Sequence, residues 1–219
     1  MHRRRRTALL VSSAALLAAA PLLTGCGDEA HPGAAAVVGG QRITVSQLEG
    51  RVNEVRDALR SAVKDDTQYQ QIVGRTGGLT RDTLQTMVLD RVLHKAATDA
   101  GAAVGRKKVQ TMRDGLEHQA GGSKALETGW LQQYAVAPAH LDESLRTELE
   151  AQKLARKLGI NMSTPDGQAA LWQHLSRTSE SMNIDMNPRY GTWDVKKSSR
   201  VDAKVPWLRE VTAGAQQQA

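Results

Sequence analysis

The sequence contains no phenylalanine, and it has only four tryptophans and three tyrosines among 219 residues. A folded core must therefore be built mainly from Leu, Ala, Val and Met. Aliphatic cores of this composition are typical of helical domains, because Leu, Ala and Met favour helices. The scarcity of aromatic residues thus predicts a mostly α-helical fold.

Residue patterns that would support chemistry are also scarce. Cys26 is the only cysteine, so an internal disulfide is excluded. The histidines after residue 30 lack close metal-ligand spacing, and no G-x-S-x-G motif is present. We expect His94 and the acidic residues around 142–150 to be solvated. These patterns predict no catalytic residue, no metal site and no cofactor, and therefore a protein that is not an enzyme.

The N-terminus has the layout of a secretory signal peptide. Arg3–Arg6 form a basic block, and residues 8–23 are apolar except for two serines. This run is too short and too rich in alanine for a typical membrane span of about 20 apolar residues. We therefore predict that residues 1–25 are a signal peptide, with the twin-arginine and general secretory routes both open.

The sequence Leu23-Thr24-Gly25-Cys26 resembles a lipobox, the processing site of bacterial lipoproteins. The resemblance implies that Cys26 receives a diacylglycerol on sulfur and becomes the new N-terminus. The alternative is a free thiol in an ordinary secreted protein. Residues 26–36 are small, polar and interrupted by Pro and Gly, so we predict a flexible tether.

The high formal charge of the chain belongs largely to the signal peptide. The net charge is +6, from 29 basic and 23 acidic residues, but Arg3–Arg6 supply four of the basic ones. The remaining chain carries about two excess positive charges and no basic cluster interleaved with aromatic residues. We therefore expect no nucleic-acid partner.

Apolar periodicity predicts six helices after a small β-hairpin. Val37 and Val38 precede a Gly39-Gly40 turn. Either Thr44 with Gln47 or Ser46 with Glu49 can form a capping box at the start of the first helix. The helices are expected at about 45–64, 80–101, 106–119, 124–134, 138–158 and 165–182, with Thr80, Ser123 and Thr164 as N-caps. Ile184 and Met186 predict a late strand, and the polar tail 195–219 is expected to be disordered.

The order of these elements resembles the SurA/PrsA group of extracytoplasmic chaperones. The similarity rests on the hairpin at 37–44, the helix at 84–101 and the segment Asn187–Trp193. It implies a SurA-like helical chaperone domain over residues 37–194, in which the late strand pairs with the N-terminal hairpin. Only about 25 residues separate Leu158 from Ile184. A parvulin isomerase domain does not fit there, so isomerase activity is not expected.

The resemblance implies a lipid-anchored chaperone on the extracytoplasmic face of the cell membrane. It would bind unfolded or nascent exported polypeptides without ATP. The alternative is a non-catalytic scaffold lipoprotein that binds one dedicated cell-envelope partner. Methionine suits promiscuous apolar surfaces, so we expect an exposed client-binding surface at Met162, Trp172, Met182 and Met186. The sequence indicates neither the clients nor the oligomeric state.

Overall fold

A computed structural model of the chain describes residues 32–63, 69 and 78–202. The prediction of a mostly helical fold is confirmed, with six α-helices in this part of the chain. They are α1 Val45–Ala62, α2 Leu79–Asp99, α3 Arg106–Ala120, α4 Ser123–Tyr134, α5 Leu141–Lys157 and α6 Pro165–Ser181. Short 3-10 helices at Pro138–His140 and Pro188–Tyr190 precede α5 and follow α6, respectively.

A small sheet joins the two ends of the domain. Strands β1 (Ala34–Val38) and β2 (Gln41–Thr44) form the predicted hairpin, and β3 (Asp185–Met186) pairs antiparallel with the other edge of β1. Gly39 and Gly40 have φ values of +57° and +76°, as the tight turn requires. The late strand therefore supplies the partner that a two-stranded hairpin needs for stability.

The capping interactions explain where several helices begin. Of the two capping boxes that the sequence allows, the one between Thr44 and Gln47 forms at the start of α1. Thr164 Oγ1 accepts a hydrogen bond from Gly167 N at 3.1 Å at the start of α6. The predicted caps at Thr80 and Ser123 are wrong, because α2 and α4 begin after Gly78 and Gly122 without a side-chain cap.

Helix α2 is the central element of the fold, since it packs against α1, α5 and α6. The main core lies between these helices and the sheet, and includes the fully buried Ile43, Leu48, Leu84, Val88 and Val92. A second, smaller core unites α3, α4 and α5 through Val109, Leu126, Leu141 and Leu145. The face between these two cores is where the cavities described below are found.

The predicted domain boundaries need two corrections. Strand β1 begins at Ala34, so residues 34–36 belong to the buried sheet rather than to the tether. At the other end, β4 (Thr192–Asp194) pairs with β5 (Ser199–Val201), so residues 195–202 are not a disordered tail. Cys26, the signal peptide and residues 203–219 lie outside the described residues. Within the described part of the chain, no helix combines the length and apolar character needed to cross a bilayer.

Candidate functional site

A groove with two adjoining cavities opens between α1, α2 and α5, and we call it the central groove. One cavity of about 510 Å³ extends toward α4, and the other, of about 480 Å³, extends toward α1 and α2. Arg51, Asp90, His140 and Glu143 line both. Cavities of this size are within the range of protein ligand sites.

An aromatic pair forms the apolar side of the first cavity. Trp130 and Tyr134 are one helical turn apart on α4, and their ring centroids lie 4.9 Å apart. Trp130 Nε1 donates a hydrogen bond to Ser144 Oγ on α5 at 3.0 Å, which fixes the indole. Tyr134 is 53% exposed, and Met112 and Val136 complete the apolar lining. This side of the groove therefore offers an apolar surface in which the Trp130 indole is held in place.

The centre of the groove is charged. The Arg51 guanidinium on α1 forms a short ion pair with the Glu143 carboxylate on α5. His140 lies between two carboxylates, with Nε2 at 2.6 Å from Glu54 Oε2 and Nδ1 at 3.4 Å from Glu143 Oε2. These contacts join α1 to α5 across the groove.

Asp90 on α2 has the most perturbed carboxyl group of the site. Burial, together with the negative charge of Glu143, raises its pKa from 3.8 to about 6. A hydrogen bond from Thr147 and the charges of Arg51 and Arg146 act in the opposite direction and are outweighed. Arg146 Nε is itself buried without a hydrogen-bond partner in the described structure. The groove thus contains a carboxylate whose charge is poorly compensated.

Glu150 corrects the expectation of a fully solvated acidic face on α5. Its side chain is 1% exposed and accepts hydrogen bonds from Val104 N and from the His94 ring. His94 is therefore paired rather than simply solvated. The sequence pattern does indicate that Glu150 is buried, because Glu150 precedes the buried Leu154 by four residues and both therefore lie on one face of the helix.

The predicted client residues divide into two pairs. Met162 and Trp172 are 40% and 47% exposed, and neither lines the central groove. Met182 and Met186 are buried, at 8% and 5% exposure. Their predicted exposure is wrong, because Met182 packs below the hairpin turn, where its carbonyl binds Gly39 N, and Met186 pairs with Ala36 in the sheet.

Sequence reasoning did not identify the central groove. Arg51, Asp90, Tyr134 and Glu143 come from four separate helices and have no recognisable spacing along the chain. Among the described residues, no group of three or more His, Cys, Asp or Glu side chains is placed to hold a metal ion.

Comparison with known proteins identifies a family for the chain. A family model described as the SurA-like N-terminal domain matches residues 1–155. The matched range includes every described residue that lines the central groove and ends within α5. No curated protein and no solved structure shows a significant match.

Proposed function

Since the chain belongs to the SurA-like N-terminal domain family, which is of chaperone type, we propose that it binds unfolded or partly folded exported polypeptides. Binding needs no ATP and no covalent chemistry. The exposed aromatic side of the central groove is the observation that carries this proposal. An extended client segment would place an apolar side chain against Trp130 and Tyr134.

The chemistry of the groove suits weak and sequence-tolerant binding. Burial of apolar area contributes roughly 25 cal/mol per Å², and it requires no fixed geometry from the client. Aromatic faces accept aliphatic and aromatic side chains alike. Trp130 is held by Ser144, so its indole needs little ordering when a client arrives.

Membrane tethering is a second part of the proposal and is supported by the N-terminal sequence. A diacylglycerol on Cys26 would anchor the domain to the extracytoplasmic face of the cell membrane. The anchor would raise the local concentration of the groove near emerging clients. Cys26→Ser tests it: we expect the protein to move from the membrane fraction to the soluble fraction. Retention at the membrane would contradict the lipid anchor.

A scaffold lipoprotein with one dedicated envelope partner is the second candidate. The charged centre of the groove favours it, because the Arg51–Glu143 and His140–Glu54 pairs impose a specific pattern of charge. Promiscuous binders instead use adaptable surfaces, often rich in methionine. In the part of the chain that the structure describes, Met112 is the only methionine that lines the first cavity.

The deciding experiment uses the chain from residue 27 onward, which contains every described residue. Its ability to suppress aggregation of two unrelated unfolding proteins is measured by light scattering. The chaperone proposal predicts suppression of both at near-stoichiometric ratios. Suppression of neither, together with capture of a single envelope protein by the wild-type chain, would favour the scaffold.

Two matched variants locate the binding surface. Tyr134→Ser removes an exposed ring from the groove, and Trp172→Ser removes an exposed ring from α6. If clients bind in the groove, Tyr134→Ser weakens suppression and Trp172→Ser does not. The reverse result would assign binding to the surface around Met162 and Trp172, which stays a prediction from the sequence.

A further inference from the structure

The first cavity of the central groove carries more negative than positive charge. Asp90, Glu143 and Glu148 line it, and among the described residues Arg51 is the only Arg or Lys that does so. The Arg51 guanidinium is already paired with Glu143. Within the described part of the chain, the lining of this cavity thus supplies no further Arg or Lys for Asp90 and Glu148.

The cations of the second cavity do not compensate for this deficit at Asp90. The Arg91 guanidinium donates to the carbonyl oxygens of Gln41 and Arg42 at 2.9 and 3.2 Å. Arg146 lowers the pKa of Asp90 only as one of the smaller influences. No Arg or Lys of the described residues lies within 4.0 Å of the Asp90 carboxylate. Asp90 is thus the groove carboxylate best placed to accept an external cation.

The position of Asp90 links this charge to the apolar side of the groove. Asp90 lines the same cavity as Trp130 and Tyr134 and faces the adjoining cavity as well. A bound segment can therefore place an apolar side chain on the aromatic pair and a neighbouring side chain at Asp90.

We propose that the central groove selects client segments in which a Lys or Arg flanks an apolar residue. This inference rests on the proposed function. The cation pairs with the Asp90 carboxylate, and the apolar residue packs on Trp130 and Tyr134. The occupant is thus a basic-apolar polypeptide segment, chosen by charge complementarity. An acidic segment is rejected by repulsion from Asp90, Glu143 and Glu148.

This selection depends on pH through the groups that face Asp90 from each packed element. The charged and titratable groups that line one or both cavities with Asp90 are Arg51 and Glu54 of α1, Arg91 and His94 of α2, His140 of the 3-10 helix, and Glu143, Arg146 and Glu148 of α5. Asp90 loses its charge as the pH falls through about 6. The preference for a cationic segment is therefore present at pH 7.5 and weakens toward pH 5.

The test compares two fluorescent ten-residue peptides that differ only at one central position, Lys in one and Gln in the other, flanked by Leu and Val. Fluorescence anisotropy gives their dissociation constants for the chain from residue 27 onward. We expect the Lys peptide to bind about tenfold more tightly at pH 7.5, as a partly buried charge-assisted hydrogen bond would give. Asp90→Asn should abolish the preference, while the exposed Asp57→Asn on α1 should retain it.

The outcomes separate this inference from the proposed function. If both peptides bind equally to the wild-type chain, the inference fails and the proposed function stands. If neither binds, the proposed function fails. A Lys preference that survives in Asp90→Asn would remove Asp90 as the cation site. The wild-type chain at pH 5 tests the same point without any substitution, and an unchanged preference there would also overturn the inference.

Discussion

The carboxylate of Glu150 on α5 accepts a hydrogen bond from the backbone N–H of Val104, at 3.1 Å, in the connection between α2 and α3. The same carboxylate faces His94 Nδ1 at 3.0 Å. One buried acidic side chain thus ties α5 to α2 and to the segment that follows α2. Such a group is stabilising only while its hydrogen bonds are made.

We predict that Glu150→Ala lowers the free energy of unfolding by about 2 to 3 kcal/mol, because it leaves the Val104 N–H without its acceptor and creates a cavity. Glu148→Ala is the matched control, since Glu148 is exposed two residues earlier on the same helix. Its effect should stay within about 0.5 kcal/mol. Urea unfolding measures both, and equal losses would contradict this role of Glu150.

Two glycine-to-alanine substitutions should change the free energy of unfolding in opposite directions. Gly191 has φ +119°, and a Cβ there would lie 2.5 Å from the carbonyl oxygen of Val201, so Gly191→Ala should cost about 2 kcal/mol or more. Gly115 lies within α3 with open space around it, so Gly115→Ala should stabilise by about 0.5 to 1 kcal/mol. Thermal unfolding reports both shifts. A stable Gly191→Ala protein with unchanged β4–β5 pairing would contradict the geometry of this turn.

Arg113 on α3 links α4, the helix that carries the aromatic pair, to α3 and α5. Its guanidinium contacts Glu117 on its own helix at 2.8 Å, Glu127 on α4 at 2.9 Å and Asp142 on α5 at 2.9 Å. We expect Arg113→Ala to cost about 1 kcal/mol at low salt and less in 1 M salt, because salt screens such networks. Lys95→Ala, which breaks one exposed pair with Asp99, should cost much less. If both substitutions lowered the free energy of unfolding equally, the Arg113 network would contribute no more to stability than a single exposed ion pair.

Asp90→Asn should stabilise the protein at neutral pH. The pKa of Asp90 is raised in the folded state to about 6, so protonation stabilises the fold fully below about pH 3.8 and this stabilisation is lost as the pH rises through 6. Asparagine stays uncharged at every pH, so Asp90→Asn avoids this loss of stability. We expect the substitution to raise the free energy of unfolding by about 1 to 2 kcal/mol at pH 7.5 and by almost nothing at pH 4.

Urea unfolding at both pH values checks this prediction, with Asp57→Asn as the control that should change neither. A destabilised Asp90→Asn protein at pH 7.5 would contradict it. A stabilising substitution that also removes the preference for the Lys peptide would indicate that the carboxylate is retained for binding at the expense of stability.

Local features of the fold were predictable from the sequence because their causes are local. The Thr44–Gln47 capping box, the positive φ of Gly39 and the Thr164 cap each depend on neighbouring residues. The pairing of β3 with β1 was expected only from the family resemblance, because its partners are about 150 residues apart.

The site could not be predicted in the same way. Asp90 has an unusual environment because tertiary packing buries its carboxyl group and brings the Glu143 carboxylate of α5 close to it. Tyr134 is a candidate binding residue only because it lines a cavity. Met182 is buried by a hairpin that lies far away in sequence. These properties arise from tertiary packing, which periodicity and motif spacing do not encode.

Photo-crosslinking tests the central claim most directly. A photoreactive phenylalanine analogue is placed at position 134, in the aromatic side of the central groove, or at position 172, on α6 outside it. Each protein is irradiated with an unfolding client, and the crosslinked product is quantified. The account predicts strong client crosslinking from position 134 and little from position 172. Crosslinking confined to position 172, or absent from both, would contradict client binding in the central groove.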